Sequence, residues 1–328
     1  MNFKNKINLA YFGSPDFSAF FLKKILTDSD LKKVIDVKLV VTQPDRPVGR
    51  KQILTETPVK KVAKKYQISN IKYQIDIRNL KLEIRNFDLA LIYAFSHIIP
   101  KDLLNAPKLG FWNIHPSLLP KYRGPSPIAY PLIFGEKETG VTIIKMDEKI
   151  DHGPIIAQEK LKIEDANRRP DLEKKLTDLG FLMFKKLILN NFNNSTSLNI
   201  KHFQLTPQAD QNATYTRLLK REDGFIPLST LKKALQNEPL NFEEMPPILK
   251  EINTWKLEKR SSLEIIYNYF RGLYPWPGIW TFLPNGKRLK IIDMNFEVKS
   301  YKLQVTRVQL EGKKEVDFET FNKAYQVF

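Results

Sequence analysis

The chain has 328 residues, 42% of them hydrophobic, with a formal net charge of +17 and no cysteine. That length allows two domains with real cores, and the basic balance points to a polyanionic partner such as nucleic acid. The missing cysteine excludes disulfides, thiolate metal sites and thiol nucleophiles. The four scattered histidines (His97, His115, His152, His202) do not make a His-rich metal site.

Taken in chain order, "INLAYFG" (7–13) is short and continuously apolar, as a strand buried on both faces requires. Nothing before it reads as a secretory leader, and no apolar run approaches the roughly 20 residues of a membrane span. The expected location is the cytosol. Ser14-Pro15-Asp16 opens a helical stretch to Leu26, with the proline near its first turn. "VIDVKLVVTQ" (34–43) predicts a second strand and "TPVKKVAKKY" (57–66) a second helix. "FDLALIYA" (87–94), "GFWNIH" (110–115) and "GVTIIKM" (140–146) predict further strands. Strands alternating with helices predict an α/β domain built on a doubly wound, mostly parallel sheet.

Leu172, Leu176, Leu179, Met183 and Leu187 fall at helical spacing and predict a packing helix. The polar stretches 190–200 and 206–216 read as a domain exit and linker. The expected division is 1–205 for a first domain, 206–224 for a linker and 225–328 for a second. In the second, 232–262 contains the proline-broken, acidic "NEPLNFEEMPPI", while "KRLKIIDMNF" and "YKLQVTRVQL" read as strands of a small β-rich module. Residues 206–328 carry 19 basic and 15 acidic side chains, a net of +4 that leaves +13 of the total +17 on residues 1–205.

The stretch with the most chemistry is "NIHPSLLPKYRG" (113–124). Asn113 and His115 stand two apart, so on a strand both side chains point to one side, at the carboxyl edge where open α/β sheets collect ligands. An amide N–H beside an imidazole can stabilise an oxyanion, and the imidazole can move a proton. A hydrogen-bonded pair at a strand end is the competing reading. "EKIDHGPII" (148–156) places Asp151 in a loop, with Gly153 and Pro154 forcing a turn. Near His115, its carboxylate would orient the ring and favour the charged imidazole. Spacing alone does not bring the two together, and Asp151 as a turn former remains open.

"GSPDF", "TQPDRPVGR", "TPVKKVA", "LGFWNIHPSLLPKYRG", "ETGVTIIKMDEKIDHGPI" and "YPWPG" occur in the order found in the methionyl-tRNA formyltransferases, and the chain resembles that family over roughly 7–185, 215–225 and 270–290. The resemblance implies a Rossmann-like catalytic domain followed by a smaller, OB-like tRNA-binding domain, from which this chain departs by an insertion near 232–262 and a shortened β-rich tail. It implies 10-formyltetrahydrofolate as formyl donor, methionyl initiator tRNA as acceptor, a monomer, and no metal. Asn113, His115 and Asp151 match the family's catalytic residues. Ser117, Leu118, Leu119 and Pro120 match its folate-contacting segment. Arg46, Arg50 and Lys51 are the charged members of "DRPVGRK", which matches its tRNA-contacting loop. A sugar-nucleotide formyltransferase and a non-catalytic RNA-binding relative are the alternatives.

Overall fold

The computed structural model describes residues 6–49, 51–73, 77, 79–192, 200, 203–250, 260–297 and 300–328. They form two compact units. The first comprises Met1–Pro125, Gly140–Leu161 and Glu173–Tyr215, and the second Ser126–Thr139, Lys162–Leu172 and Thr216–Phe328. The units are therefore discontinuous in sequence, whereas the sequence reading drew one dividing segment at 206–224. Part of the stretch read as domain exit, 193–199, lies outside the described residues, as does 251–259 of the 232–262 segment.

The main sheet contains β1 (Ile7–Phe12), β2 (Ile35–Thr42), β5 (Ile71–Tyr73), β6 (Leu89–Ile92), β7 (Phe111–His115), β8 (Glu138–Lys145) and β9 (Ile155–Lys162). Its order is β5-β2-β1-β6-β7-β8-β9. The first five strands are parallel, which requires both faces to be covered. The residues comply: Leu9 to Phe12, Leu39 to Val41 and Leu89 to Leu91 are fully buried. From β1 the chain builds outward through β2 and β5, then returns to β6 on the other side. That reversal opens a crevice at the carboxyl ends, and β7 ends next to it.

"GVTIIKM" is a strand, but β8 runs antiparallel to β7, with His115 opposite Thr142 and Trp112 opposite Lys145. The reading of mostly parallel strands holds for the sheet, and its far edge departs from it. The helix Arg169–Phe192 covers β7 and β8 within the first unit. A Cβ on Gly180 would lie 3.0 Å from Ile114 Cγ2, so the glycine admits β7 close to the helix. Ile114 is thus buried against the helix, and alternation along the strand turns Asn113 and His115 to the other face. A two-stranded hairpin, β3 (Arg46–Val48) with β4 (Ile53–Thr55), follows β2.

The second unit carries an antiparallel sheet of β10 (Ile279–Phe282), β11 (Arg288–Glu297), β12 (Lys302–Leu310) and β13 (Glu315–Asp317). The helix Ser262–Leu273 starts from a capping box between Ser261 and Glu264, and all its residues but Glu264 are buried. Within this unit the buried Arg271 donates to the carbonyls of Glu164, Asp165 and Asn167. No helix among the described residues is long and apolar enough to cross a membrane.

Candidate active site

The carboxyl end of β7 supplies Asn113 and His115, and the turn after β8 supplies Asp151. Asn113 Nδ2 donates to Asp151 Oδ1 at 2.9 Å. His115 Nδ1 lies 3.5 Å from the same oxygen. Asp151 Oδ2 accepts the Gly124 N–H at 2.7 Å. The three side chains expected from sequence to work together therefore lie in one place.

His115 is buried, and its Nε2 lies 2.9 Å from the Tyr122 carbonyl oxygen. A carbonyl only accepts, so Nε2 carries a proton. The Nδ1 side is then the one that can gain or lose a proton, and it faces Asp151. Tyr122 sits in the left-handed region at φ +62°. Its N–H is held by Thr214 Oγ1 at 2.9 Å.

Asp151 is left-handed too, at φ +48°. Gly153 follows where a Cβ would lie 1.9 Å from the Lys145 carbonyl oxygen, so no larger residue fits the turn. Gln208 donates from Nε2 to the carbonyls of Asp151 at 2.9 Å and Gly153 at 2.8 Å. The buried Arg123 donates to Gln208 Oε1 and to Asp210 Oδ1. His152 bridges Asp147 at 2.6 Å and Asp210 at 3.2 Å. Arg123 stands inside the 113–124 stretch, where the sequence gives it no role of its own, and the only local signal for Gln208 is polarity in a stretch that reads as linker.

In the Ser117–Pro120 segment the side chains alternate. Those of Ser117 and Leu119 are buried, and those of Leu118 and Pro120 are half-buried. Ser117 Oγ donates to the Lys121 carbonyl at 2.7 Å. Thr142 Oγ1 donates to Ser117 O and accepts from Leu119 N. Gln158 Nε2 donates to Leu119 O. The segment is thus fixed by its backbone, and the Leu118 side chain packs over Gly140, where a Cβ would lie 2.4 Å from Leu118 Cδ2.

Arg46 and Lys51 lie on the exposed β3–β4 hairpin, and Arg50 lies outside the described residues. The exposed side chains of Val48, Ile53 and Leu54 give the same hairpin an apolar tip. Its base is tied down: Lys60 Nζ meets both Asp45 oxygens at 2.8 Å, and that contact holds the Lys60 ammonium well above its usual range. His97 is exposed beside Phe95. Among the described residues no group of acidic, histidine or cysteine side chains is arranged to hold a metal.

The formyl transferase family model matches residues 7–188, and the formyl transferase C-terminal domain matches 257–304. A methionyl-tRNA formyltransferase of Staphylococcus epidermidis is 37% identical over 302 residues, covering 90% of this chain and 81% of that one. A methionyl-tRNA formyltransferase of Caldicellulosiruptor saccharolyticus is 32% identical, covering 98% of both. An N-formyltransferase of Helicobacter canadensis, solved with folinic acid and dTDP-3-aminofucose, superposes with a TM-score of 0.55 at 20% identity over 89% of each chain, a likeness of fold. The family match over more than half of the chain and the identity along nearly all of it agree: the chain belongs to the methionyl-tRNA formyltransferase family.

Proposed function

We propose that the chain transfers the formyl group of 10-formyltetrahydrofolate to the α-amine of methionyl initiator tRNA, and that Asn113, His115 and Asp151 carry the chemistry. The observation that supports this most is the shared Asp151 Oδ1, which meets both an amide donor and the imidazole at a strand's carboxyl end. The amine attacks the formyl carbon; a C–N bond forms and the carbonyl oxygen becomes an oxyanion. One Asn113 N–H goes to Asp151, leaving the other for that oxygen, with Nδ1–H of the protonated His115 beside it. Asp151 takes the amine's proton. His115 passes its Nδ1 proton to the departing N10, and Asp151 returns one to His115, so the site is restored as N-formylmethionyl-tRNA and tetrahydrofolate leave.

Leu118 and Pro120, with the backbone of the Ser117–Pro120 segment, line the donor. Arg46, Arg50 and Lys51 hold the tRNA acceptor end, and residues 225–328 supply a further tRNA-binding surface. In that second unit Arg288 stacks on Trp280 with Lys290 on the same strand, a basic and aromatic pairing suited to nucleic acid. We place the enzyme in the cytosol as a monomer. The test is an assay with 10-formyltetrahydrofolate and charged initiator tRNA, scored for formyl-methionine across a salt series. A tRNA acceptor gives a KM that rises steeply with salt through counterion release. Formylation of an amino-sugar nucleotide and not of Met-tRNA would refute the assignment.

A further inference from the structure

We propose that Gln208 is a positioning residue for formyl transfer: it bridges the backbone on both sides of Asp151 and thereby fixes the carboxylate against Asn113 and His115. The inference rests on the proposed role of Asp151.

Asp151 holds a left-handed backbone at φ +48°. A residue with a Cβ keeps that conformation only where its surroundings over-determine it. The side-chain bonds of Asp151 to Asn113 and Gly124 fix where the carboxylate ends, not how the turn is held. The Gln208 amide supplies the missing constraint. Its two N–H groups go to the carbonyls of Asp151 and Gly153. Its oxygen accepts two bonds from Arg123, from Nε at 3.1 Å and Nη2 at 2.9 Å. Both amide protons and both lone pairs are used, so the amide cannot flip without setting donor against donor.

Arg123 is itself anchored. Its side chain is 2% exposed, it meets Asp210 Oδ1 at 2.8 Å, and its own N–H donates to Thr214 O at 2.8 Å. Arg123 directly follows Tyr122, whose carbonyl holds His115, and precedes Gly124, whose N–H holds Asp151. One guanidinium–amide pair thus stands between the segment that orients His115 and the turn that carries Asp151. A misplacement of about 1 Å at such a site costs on the order of 10²-fold in rate.

Two variants of the full chain separate the bridge from bulk. Gln208→Glu retains the acceptor for Arg123 and loses both donors to the turn; Gln208→Met keeps length and loses all four bonds. For both we expect folded protein, kcat lower by about 10- to 10²-fold, and KM for the folate donor and for Met-tRNA within about twofold. The decisive readout is coupling. In an Asp151→Asn background, Gln208→Met is expected to remove less than about threefold more, because the group it positions is already disabled. Wild-type kcat in the folded Gln208 variants overturns the inference. So does a Gln208→Met loss that multiplies undiminished onto Asp151→Asn. If Asp151→Asn alone retains wild-type kcat, the reading of the site has failed, and that failure is distinguishable from the other two.

Discussion

Asp151→Asn changes no shape, which makes it the most informative single substitution. The carboxylate accepts on both oxygens, from Asn113 Nδ2 at 2.9 Å and from Gly124 N–H at 2.7 Å. An asparagine offers one acceptor and one donor in the same space. If it keeps the Gly124 bond, its NH₂ meets the Asn113 NH₂, and Asn113 must turn its amide over. If it keeps the Asn113 bond, its NH₂ meets the Gly124 N–H. Either way one charge-assisted bond is lost, worth about 1.5–3 kcal/mol, partly offset by the smaller cost of burying a neutral amide. A net destabilisation of about 1–2 kcal/mol follows, a few degrees in Tm for a chain of this size. The rate suffers more. Loss of the base costs about 10²–10⁴, and a displaced Asn113 donor about 10²–10³. The two act on one step, so they do not multiply. A kcat lower by about 10³, or about 4 kcal/mol in the barrier, is expected. Single-turnover formation of formylmethionyl-tRNA at saturating donor, with thermal unfolding alongside, measures both quantities. Turnover within about threefold of wild type in a folded variant would contradict the scheme.

Asn113→Ala and His115→Ala are each expected to lower kcat by about 10²–10³; near-normal turnover in both would move the oxyanion site elsewhere. Replacing Arg46, Arg50 and Lys51 together by Ala should raise KM for tRNA and flatten its salt dependence by roughly one unit of slope for each phosphate left without its cation. The folate KM should stay put, and an unchanged salt series would leave the hairpin as a solvated turn. Lys185 bridges Asp28 at 2.8 Å and Asp30 at 2.9 Å. Burial alone would raise Asp28, but hydrogen bonds from Lys185 and from the Leu31 and Asp30 N–H groups outweigh it and hold it below the usual carboxylate range. That stabilisation is present at neutral pH and is lost as pH falls through the lowered value. Lys185→Met should therefore be less stable than wild type at pH 7, with the two converging in acid; a constant difference across chemical denaturation from pH 7 to pH 2 would contradict the pairing.

Four of the five parallel strands were legible, because a strand covered on both faces has to carry an apolar run. β1, β6 and β7 show one, and β2 shows one from Leu39 to Val41, beyond the exposed Asp36 and Lys38; β5, three half-buried residues, shows none. The long helix was legible from its spacing, with Leu172, Leu176 and Met183 buried as their positions require. β9 was not: it is the last strand of the sheet, and "IIAQEKLK" leaves every position partly or fully exposed, so no continuous run marks it. The hairpin β3–β4 carries no strand signal in the sequence, because its six residues are exposed or half-buried. Its pairing depends on the backbone alone.

Asn113 and His115 could be paired on paper because one strand carries both, and the alternation of side chains is a local rule. Asp151 is 38 residues from Asn113. It arrives only because β8 runs back along β7, and the turn leaves beside Phe111, whose carbonyl accepts the Met146 N–H at 2.8 Å. No spacing rule contains that path. The segment 206–216 hid its part for a different reason. Turns such as 120–124 and 151–153 leave backbone N–H and C=O groups that no strand or helix satisfies, and buried groups of that kind need partners. Polar side chains laid along them supply those partners: Thr214 meets Tyr122 N, and Gln208 meets Asp151 O and Gly153 O. A segment with that task has to be as polar as a solvated linker. Composition gives both the same signature, and only the placement of Gln208 against Asp151 tells them apart.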